Sequence, residues 1–267
     1  MNKIKQYLKA SNSGLGIDAS IIDVKKLNSI KIPTKIRDEI PTLNKCGYMK
    51  MYVDDYTECF IETAKDSSYP VLEIGCAYGY VVKEVLKAGG RIVANDIEEK
   101  HLEILLKEIP KENLKKLNLY PGKFPEEINF DENSFSAILI SRVLHFFDGN
   151  TLEKALKKIH SWLIPGGTFH FVAMSTYHDA IKSSFLTTYR QNVAAGMKWP
   201  GEITCQWDFA PSHKEYVPEF LHVFDVPELK KIIETSGFTI KKIGLFNYPD
   251  DTTAGDKGHI GFIAKKV

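Results

Sequence analysis

The chain has 267 residues, 43% of them hydrophobic and 26% charged, with a formal net charge of +1. That length is enough to bury a full core as one domain, or as one domain with a cap. The charge balance supplies no global field that would draw the chain to nucleic acid or to an anionic membrane, and no apolar run reaches the roughly 18 residues of a membrane span.

Residues 1–68 read as an N-terminal helical arm or cap. Charges alternate there with short apolar groups such as Ile21-Ile22, and Pro33 and Pro41 interrupt the later part. Its first ten residues are polar and lysine-rich and lack the apolar core of a signal peptide. A helix is expected over 48–65, anchored by Met51, Tyr52, Cys59, Phe60 and Ile61.

From Tyr69 a regular alternation begins. Strands are expected over 70–74, 91–94, 116–120, 136–140 and 168–173. Helices are expected between them over 80–88, 98–109 and 151–163, with apolar residues at helical spacing. Gly89-Gly90 and Pro110 stop the first two helices, and Pro165-Gly166-Gly167 reads as a tight turn. Residues 174–223, rich in aromatics and hydroxyls, read as an inserted lid after the fifth strand. Asp225, Pro227 and Glu228 give a strong helix start, Gly237 ends that helix, and strands over 238–246 and 259–264 close the chain.

The expected fold is therefore α/β: a doubly wound, mostly parallel, seven-stranded sheet with helices on both faces over residues 69–267. Ligands of such sheets bind beyond the carboxyl ends of the strands. That rim gathers 75–79, Asp96, 122–124 and 141–145.

The central feature is Val71-Leu72-Glu73-Ile74-Gly75-Cys76-Ala77-Tyr78-Gly79. Its glycines permit a sharp turn and close approach of a ligand to the backbone. A carboxylate at Glu73 would repel a dinucleotide pyrophosphate and attract an ammonium group. The nicotinamide fingerprint wants G-x-G-x-x-G, and the spacing of Gly75 and Gly79 fails it. Asp96 ends the second strand, where an acid accepts bonds from a ribose diol or caps the following helix. The cysteines Cys46, Cys59, Cys76 and Cys205 form no CxxC pair, and His and Asp are dispersed, so no metal site is assigned. Scattered thiols fit a reducing, cytoplasmic setting.

This constellation resembles the class I, Rossmann-like S-adenosylmethionine-dependent methyltransferases. Further markers are Asn133-Ser134-Phe135-Ser136, Val143-Leu144-His145, Leu163-Ile164-Pro165-Gly166-Gly167 and the late Phe224 to Leu229 stretch. The resemblance implies S-adenosylmethionine as cofactor and S-adenosylhomocysteine as product. By it, Gly75, Cys76, Ala77 and Gly79 would wrap the methionine part and Glu73 would orient its ammonium. Asp96 would hold the ribose, Ile97 would pack on adenine, and Lys123-Phe124 occupies the adenine-edge position. Ser141 would line the sulfonium region, with Leu144 and His145 near the transferred methyl. Ala77 stands where the family often has glycine, a change that suits a negative φ. Lys123 stands where it often has aspartate, and a lysine cannot accept the adenine amino hydrogen bond.

His145 reads either as a general base or as a histidine packed beneath the cofactor. Arg142 reads either as a binder of an acidic substrate or as the partner of a neighbouring acid. The lid aromatics Tyr177, His178, Tyr189, Trp199, Trp207, Phe209, His213, Tyr216 and Phe220 read as pocket walls or as subdomain core, and Tyr48 or Tyr52 as a wall opposite. Ser141-Arg142-Val143-Leu144 lacks the Asn-Pro-Pro-Tyr-like tetrad of nucleic-acid amino methylation, which favours a small-molecule acceptor. Methylation of a protein or RNA, or cofactor binding without transfer, are the competing readings.

Overall fold

A computed structural model describes residues 4–8, 14–181, 183–205, 215–216, 218–251 and 255–267. The N-terminal quarter holds helix α1 (Lys5–Leu8) and strands β1 (Ile17–Asp18), β2 (Glu39–Pro41) and β3 (Tyr48–Lys50), followed by helix α2 (Asp55–Asp66). Then come β4 (Val71–Ile74), α3 (Tyr80–Lys87), β5 (Ile92–Asp96), α4 (Glu99–Glu108), β6 (Leu117–Pro121), β7 (Phe135–Ser141), α5 (Gly149–Trp162) and β8 (Leu163–Met174). The remainder is α6 (Ser183–Ala194), β9 (Glu202–Ile203), β10 (Leu221–His222), α7 (Val226–Thr235), β11 (Phe238–Phe246) and β12 (His259–Lys266).

The main sheet has the order β1-β6-β5-β4-β7-β8-β12-β11. Strands β6, β5, β4, β7 and β8 are mutually parallel, and β12 runs antiparallel to both of its neighbours. All of β4 and β5 is buried, as a strand covered on both faces must be. Side chains alternate between two cores. Leu72, Ile74, Val93, Ile138 and Ile140 face α5 and α7 through Leu156, Ile159, Trp162 and Ile233. Val71, Ile92, Ala94, Ala137 and Leu139 face α2, α3 and α4 through Phe60, Val82 and Leu105. The common direction of the five parallel strands is what places each βα loop on the same rim.

Three expectations need correction. The sheet has eight strands, because β1 pairs antiparallel with β6, Ile17 opposite Leu119. A two-residue strand leaves no periodicity to read, yet Ile17 is fully buried against the core. The arm is not mainly helical: β2 and β3 form an antiparallel pair, and the helix expected from residue 48 starts only at Asp55. Asp54 sets that start, its carboxylate accepting the Tyr56 and Thr57 N–H groups at 3.0 and 2.9 Å. The Pro165-Gly166-Gly167 turn does not break the chain's path. It is absorbed into β8 as a bulge, since pairing steps from Phe135↔Leu163 directly to Ala137↔Thr168.

The last helix starts where expected, Asp225 capping it through the Val226 N–H at 2.7 Å. Trp207, Phe209 and His213 of the expected lid lie outside the described residues.

Candidate functional site

The β4–α3 loop turns through positive φ at Gly75 (75°), Ala77 (46°) and Gly79 (72°). Gly75 and Cys76 both donate their N–H groups to the Asn95 carbonyl, at 2.9 and 3.0 Å, which pins the loop to the end of β5. A Cβ on Gly75 would meet Val143 Cγ2 at 2.3 Å, and one on Gly79 would meet Leu105 Cδ1 at 2.3 Å. Both glycines are thus required by the space as well as by the backbone. Ala77 does not have the negative φ that its alanine suggests, and its N–H donates to Asp96 Oδ2 at 2.8 Å.

Asp96 is buried and already engaged. Its Oδ1 accepts the Glu98 N–H at 2.8 Å and lies 3.0 Å from His101 Nδ1. A carboxylate has about four acceptor positions, so one remains for a ligand. His101 Nε2 in turn accepts the Leu43 N–H at 3.0 Å. With that lone pair used, the neutral ring carries its proton on Nδ1 and donates to Asp96. The arm is tied down again by Tyr78, whose hydroxyl donates to the Pro41 carbonyl at 2.8 Å.

Glu73 is fully enclosed, and its Oε2 has no hydrogen-bond partner among the described residues. Burial, reinforced by the nearby Asp96 charge, pushes its pKa up to about 8. A buried acceptor without a donor is costly, and a hydrogen-bond donor from a ligand would relieve it.

A cavity of about 120 Å³ joins these groups. Glu73, Gly75, Cys76, Ala77, Asp96, Ile97 and Ser141 line it, together with Thr42, Asn44, Cys46, Tyr48 and Tyr52 from the arm. Gly79, Lys123, Phe124 and Leu144 are not in its lining. Phe124 packs in the core against Phe147 and Trp162, with ring centroids 6.1 and 5.8 Å away. Lys123 is exposed and pairs with Glu126 at 3.6 Å. Leu144 is buried in the same core.

A second cavity, of about 440 Å³, abuts the first across Tyr48, Lys50, Arg142 and Phe146, which line both. His145, His178 and His259 reach it from three different segments. Arg142, at φ 61°, pairs with Glu39 of β2 at 2.8 Å. Lys50 pairs with Asp250. Burial holds the His145 pKa well below the usual range, and the Arg142 charge lowers it further. Of the lid aromatics, His178 lines this cavity, and the Tyr216 ring packs at a tilt against Tyr48, with centroids 5.5 Å apart. Tyr177, Tyr189 and Trp199 line a separate groove between α6 and α7.

Sequence reading missed His101, Tyr248 and the 42–46 segment as wall residues. His101 alone left a signal, a lone imidazole one turn after the acid that ends β5. The arm residues left none.

Residues 71–167 match the methyltransferase-domain family. No curated protein matches the chain in sequence. The fold is similar to that of an S-adenosylmethionine-dependent methyltransferase from Mesorhizobium loti, with 15% identity, a TM-score of 0.56, and 80% of this chain and 100% of that chain covered. It is similar also to a Methanosarcina mazei S-adenosylmethionine-dependent methyltransferase, with 17% identity, a TM-score of 0.57, and coverage of 78% and 97%. A third similar structure is the Burkholderia thailandensis 1,6-didemethyltoxoflavin-N1-methyltransferase with bound 1,6-didemethyltoxoflavin and S-adenosylhomocysteine, at 16% identity, a TM-score of 0.55, and coverage of 80% and 77%.

Proposed function

Residues 71–167 are a class I, S-adenosylmethionine-dependent methyltransferase domain, and from that premise we propose that the chain methylates a small-molecule acceptor held in the larger cavity. The observation that carries this reading is the shared wall. Tyr48, Lys50, Arg142 and Phe146 separate the cleft we assign to the cofactor from a cavity of about 440 Å³, a size suited to a small organic molecule.

The residues fit the cofactor. Glu73 Oε2 lacks a partner among the described residues and suits the ammonium group. The positive-φ turn at Gly75 puts bare backbone in the cleft wall, and Asp96 retains one acceptor position for a ribose hydroxyl. When bound, the cofactor supplies a methyl carbon activated by a sulfonium. The chain's part is to hold that carbon in line with the acceptor, exclude water and accept a proton where the acceptor carries one. Cys76, Ala77, Ile97 and Ser141 complete the cofactor walls in this reading, and His145 faces the acceptor. Gly79 acts at one remove, by setting the start of α3. Lys123, Phe124 and Leu144 would act through the packing of the adenine side. Among the described residues no helix is long and apolar enough to cross a membrane. The four free thiols support a reducing, cytoplasmic setting.

Calorimetry with S-adenosylmethionine, S-adenosylhomocysteine and NADH tests the reading. The first two should bind with on the order of −8 kcal/mol, Asp96→Ala should weaken them, and NADH should not bind. A thermal-shift screen of small acceptors on the S-adenosylhomocysteine complex then tests the acceptor class. Methyl transfer to a protein or RNA but to no small molecule would overturn that part.

A further inference from the structure

The three histidines of the acceptor cavity are not equivalent. His145 is buried, and its Nδ1 has no hydrogen-bond partner among the described residues, so nothing fixes its tautomer. His178 Nδ1 accepts the Ala180 N–H at 3.1 Å. Its neutral ring therefore carries the proton on Nε2 and acts as a donor, and burial takes its pKa down to about 4. His259, the first residue of β12, has a carboxylate beside it: its Nδ1 lies 3.0 Å from Asp251 Oδ2, off the line of the N–H bond. Such catalytic contacts commonly tighten only when substrate binds.

The surroundings hold this pair in place. Asp251 Oδ2 also accepts the Tyr248 N–H at 2.6 Å. Burial works to raise the Asp251 pKa, but pairing with His259 takes it below the usual range. The His178 ring stands edge-on to His259 with centroids 5.1 Å apart. Tyr248 covers another side at 4.7 Å, and Tyr248 itself lines the cofactor cleft. His259 is thus one ring removed from the cofactor. Burial takes the His259 pKa below its usual value, helped by the Arg142 and Lys50 charges and opposed by Asp251.

We propose that His259, oriented by Asp251, is the general base of the methyl transfer, and that the acceptor's nucleophile is a hydroxyl or a ring N–H. The proposal rests on the methyltransferase reading above. Once Nδ1–H turns onto Asp251 as substrate binds, the Nε2 lone pair is left free, the arrangement by which a carboxylate fixes an imidazole as a base. As the nucleophile bonds to the methyl carbon, the carbon–sulfur bond breaks and its electron pair stays on sulfur. The acceptor's proton passes to His259 Nε2, and Asp251 offsets the charge of the imidazolium until the proton leaves to solvent. A tertiary amine or a carboxylate acceptor would need no such group.

Histidine-selective ¹⁵N NMR of the S-adenosylhomocysteine complex at pH 7 tests the assignment, with calorimetric affinity for S-adenosylhomocysteine measured on the same samples. His259 should be the neutral Nδ1–H tautomer in wild type, and Asp251→Asn should raise the Nε2–H share at least about threefold. A wild-type His259 that is charged or Nε2-protonated would overturn the proposal. Loss of S-adenosylhomocysteine binding in the wild type would instead sink the methyltransferase reading. Transfer of labelled methyl to 1-naphthol, benzimidazole, benzoate and N,N-dimethylaniline adds the kinetic arm. For either protic acceptor, His259→Gln should lower kcat about a hundredfold with KM and cofactor affinity within about threefold, and its remaining rate should rise steadily with pH. Unchanged kcat in that variant, or preference for benzoate or the tertiary amine, would overturn it.

Discussion

His101 Nδ1 and Asp96 Oδ1 are 3.0 Å apart, in a pair whose side chains are 1% and 6% exposed. The other ring nitrogen accepts the Leu43 N–H. One imidazole therefore links the acid proposed for the ribose to the arm that covers it. His101→Phe keeps the ring's bulk, and with it the edge contact to Tyr78 at 4.8 Å, but removes both bonds. The expected cost is about 1–3 kcal/mol, because a buried N–H and a buried carboxylate each lose a partner. Denaturant unfolding would measure it. Amide exchange at Leu43 should quicken in the variant; unchanged protection there would show that the arm is held elsewhere.

Glu73 gives a proton-linked prediction. Its folded pKa of about 8 lies above the ordinary value of 4.5. The folded chain thus holds this proton more tightly than the unfolded chain. The stability it contributes is full below the ordinary value and is lost as the pH rises toward the folded one. Glu73→Gln should therefore raise the melting temperature at pH 8 and leave it little changed near pH 4. An ammonium group beside Glu73 would reverse the balance and favour the carboxylate. Binding S-adenosylmethionine at pH 7 should then release about one proton from wild type. Calorimetric enthalpies in phosphate and in Tris would show it as a buffer-dependent difference, absent from Glu73→Gln.

The loop 75–79 separates sterics from backbone strain. Gly75→Ala meets Val143 Cγ2 at 2.3 Å as well as an unfavourable φ. Adding Val143→Ala removes the clash and leaves the φ cost, roughly 1–2 kcal/mol for a residue with a Cβ. The double variant should therefore be less destabilised than the sum of its parts. Ala77, at φ 46°, already bears that strain. Ala77→Gly should gain up to about 1 kcal/mol, less the extra entropy of the unfolded glycine. A loss of stability would mean that the Ala77 methyl contributes packing that outweighs the strain.

These residues also show what the sequence could carry. The five parallel strands and the rim from Glu73 to Asp96 were legible because apolar runs and glycines recur at fixed offsets, and local sequence alone decides them. Ser141 was legible as the end of a strand. The arm was not, because β1, β2 and β3 are two or three residues long, too short to show a period; β1 exists through its distant partner β6, and β2 and β3 through each other. Thr42, Cys46 and His101 became wall residues by long-range packing, whereas Tyr48 and Tyr52 line the cleft as the sequence suggested. Phe124 and Leu144 were expected beside the cofactor from their order in the chain, yet their side chains turn into the core shared with Trp162. Position along a strand or loop fixes which rim a residue occupies; the side chain's direction depends on what the opposite layer offers it.

The cleft proposed for the cofactor, at about 120 Å³, has room on the order of a few water molecules. S-adenosylmethionine is larger than that space, and we predict that the β2–β3 segment roofing the cleft shifts outward to admit it. Glu39 and Lys50 hold that roof, through Arg142 on the sheet side and Asp250 beyond β11. If opening precedes binding, the observed rate in stopped-flow mixing should level off as S-adenosylmethionine is raised. Glu39→Gln loosens the Arg142 pair and should lift that plateau about tenfold, the equivalent of about 1.4 kcal/mol. Glu39 is about a quarter exposed, so the full penalty of stranding a buried guanidinium is not expected. A rate that stays linear in S-adenosylmethionine for both proteins would mean the roof does not gate entry. The cleft would then have to widen from the side of Ile97, where the wall is open to solvent.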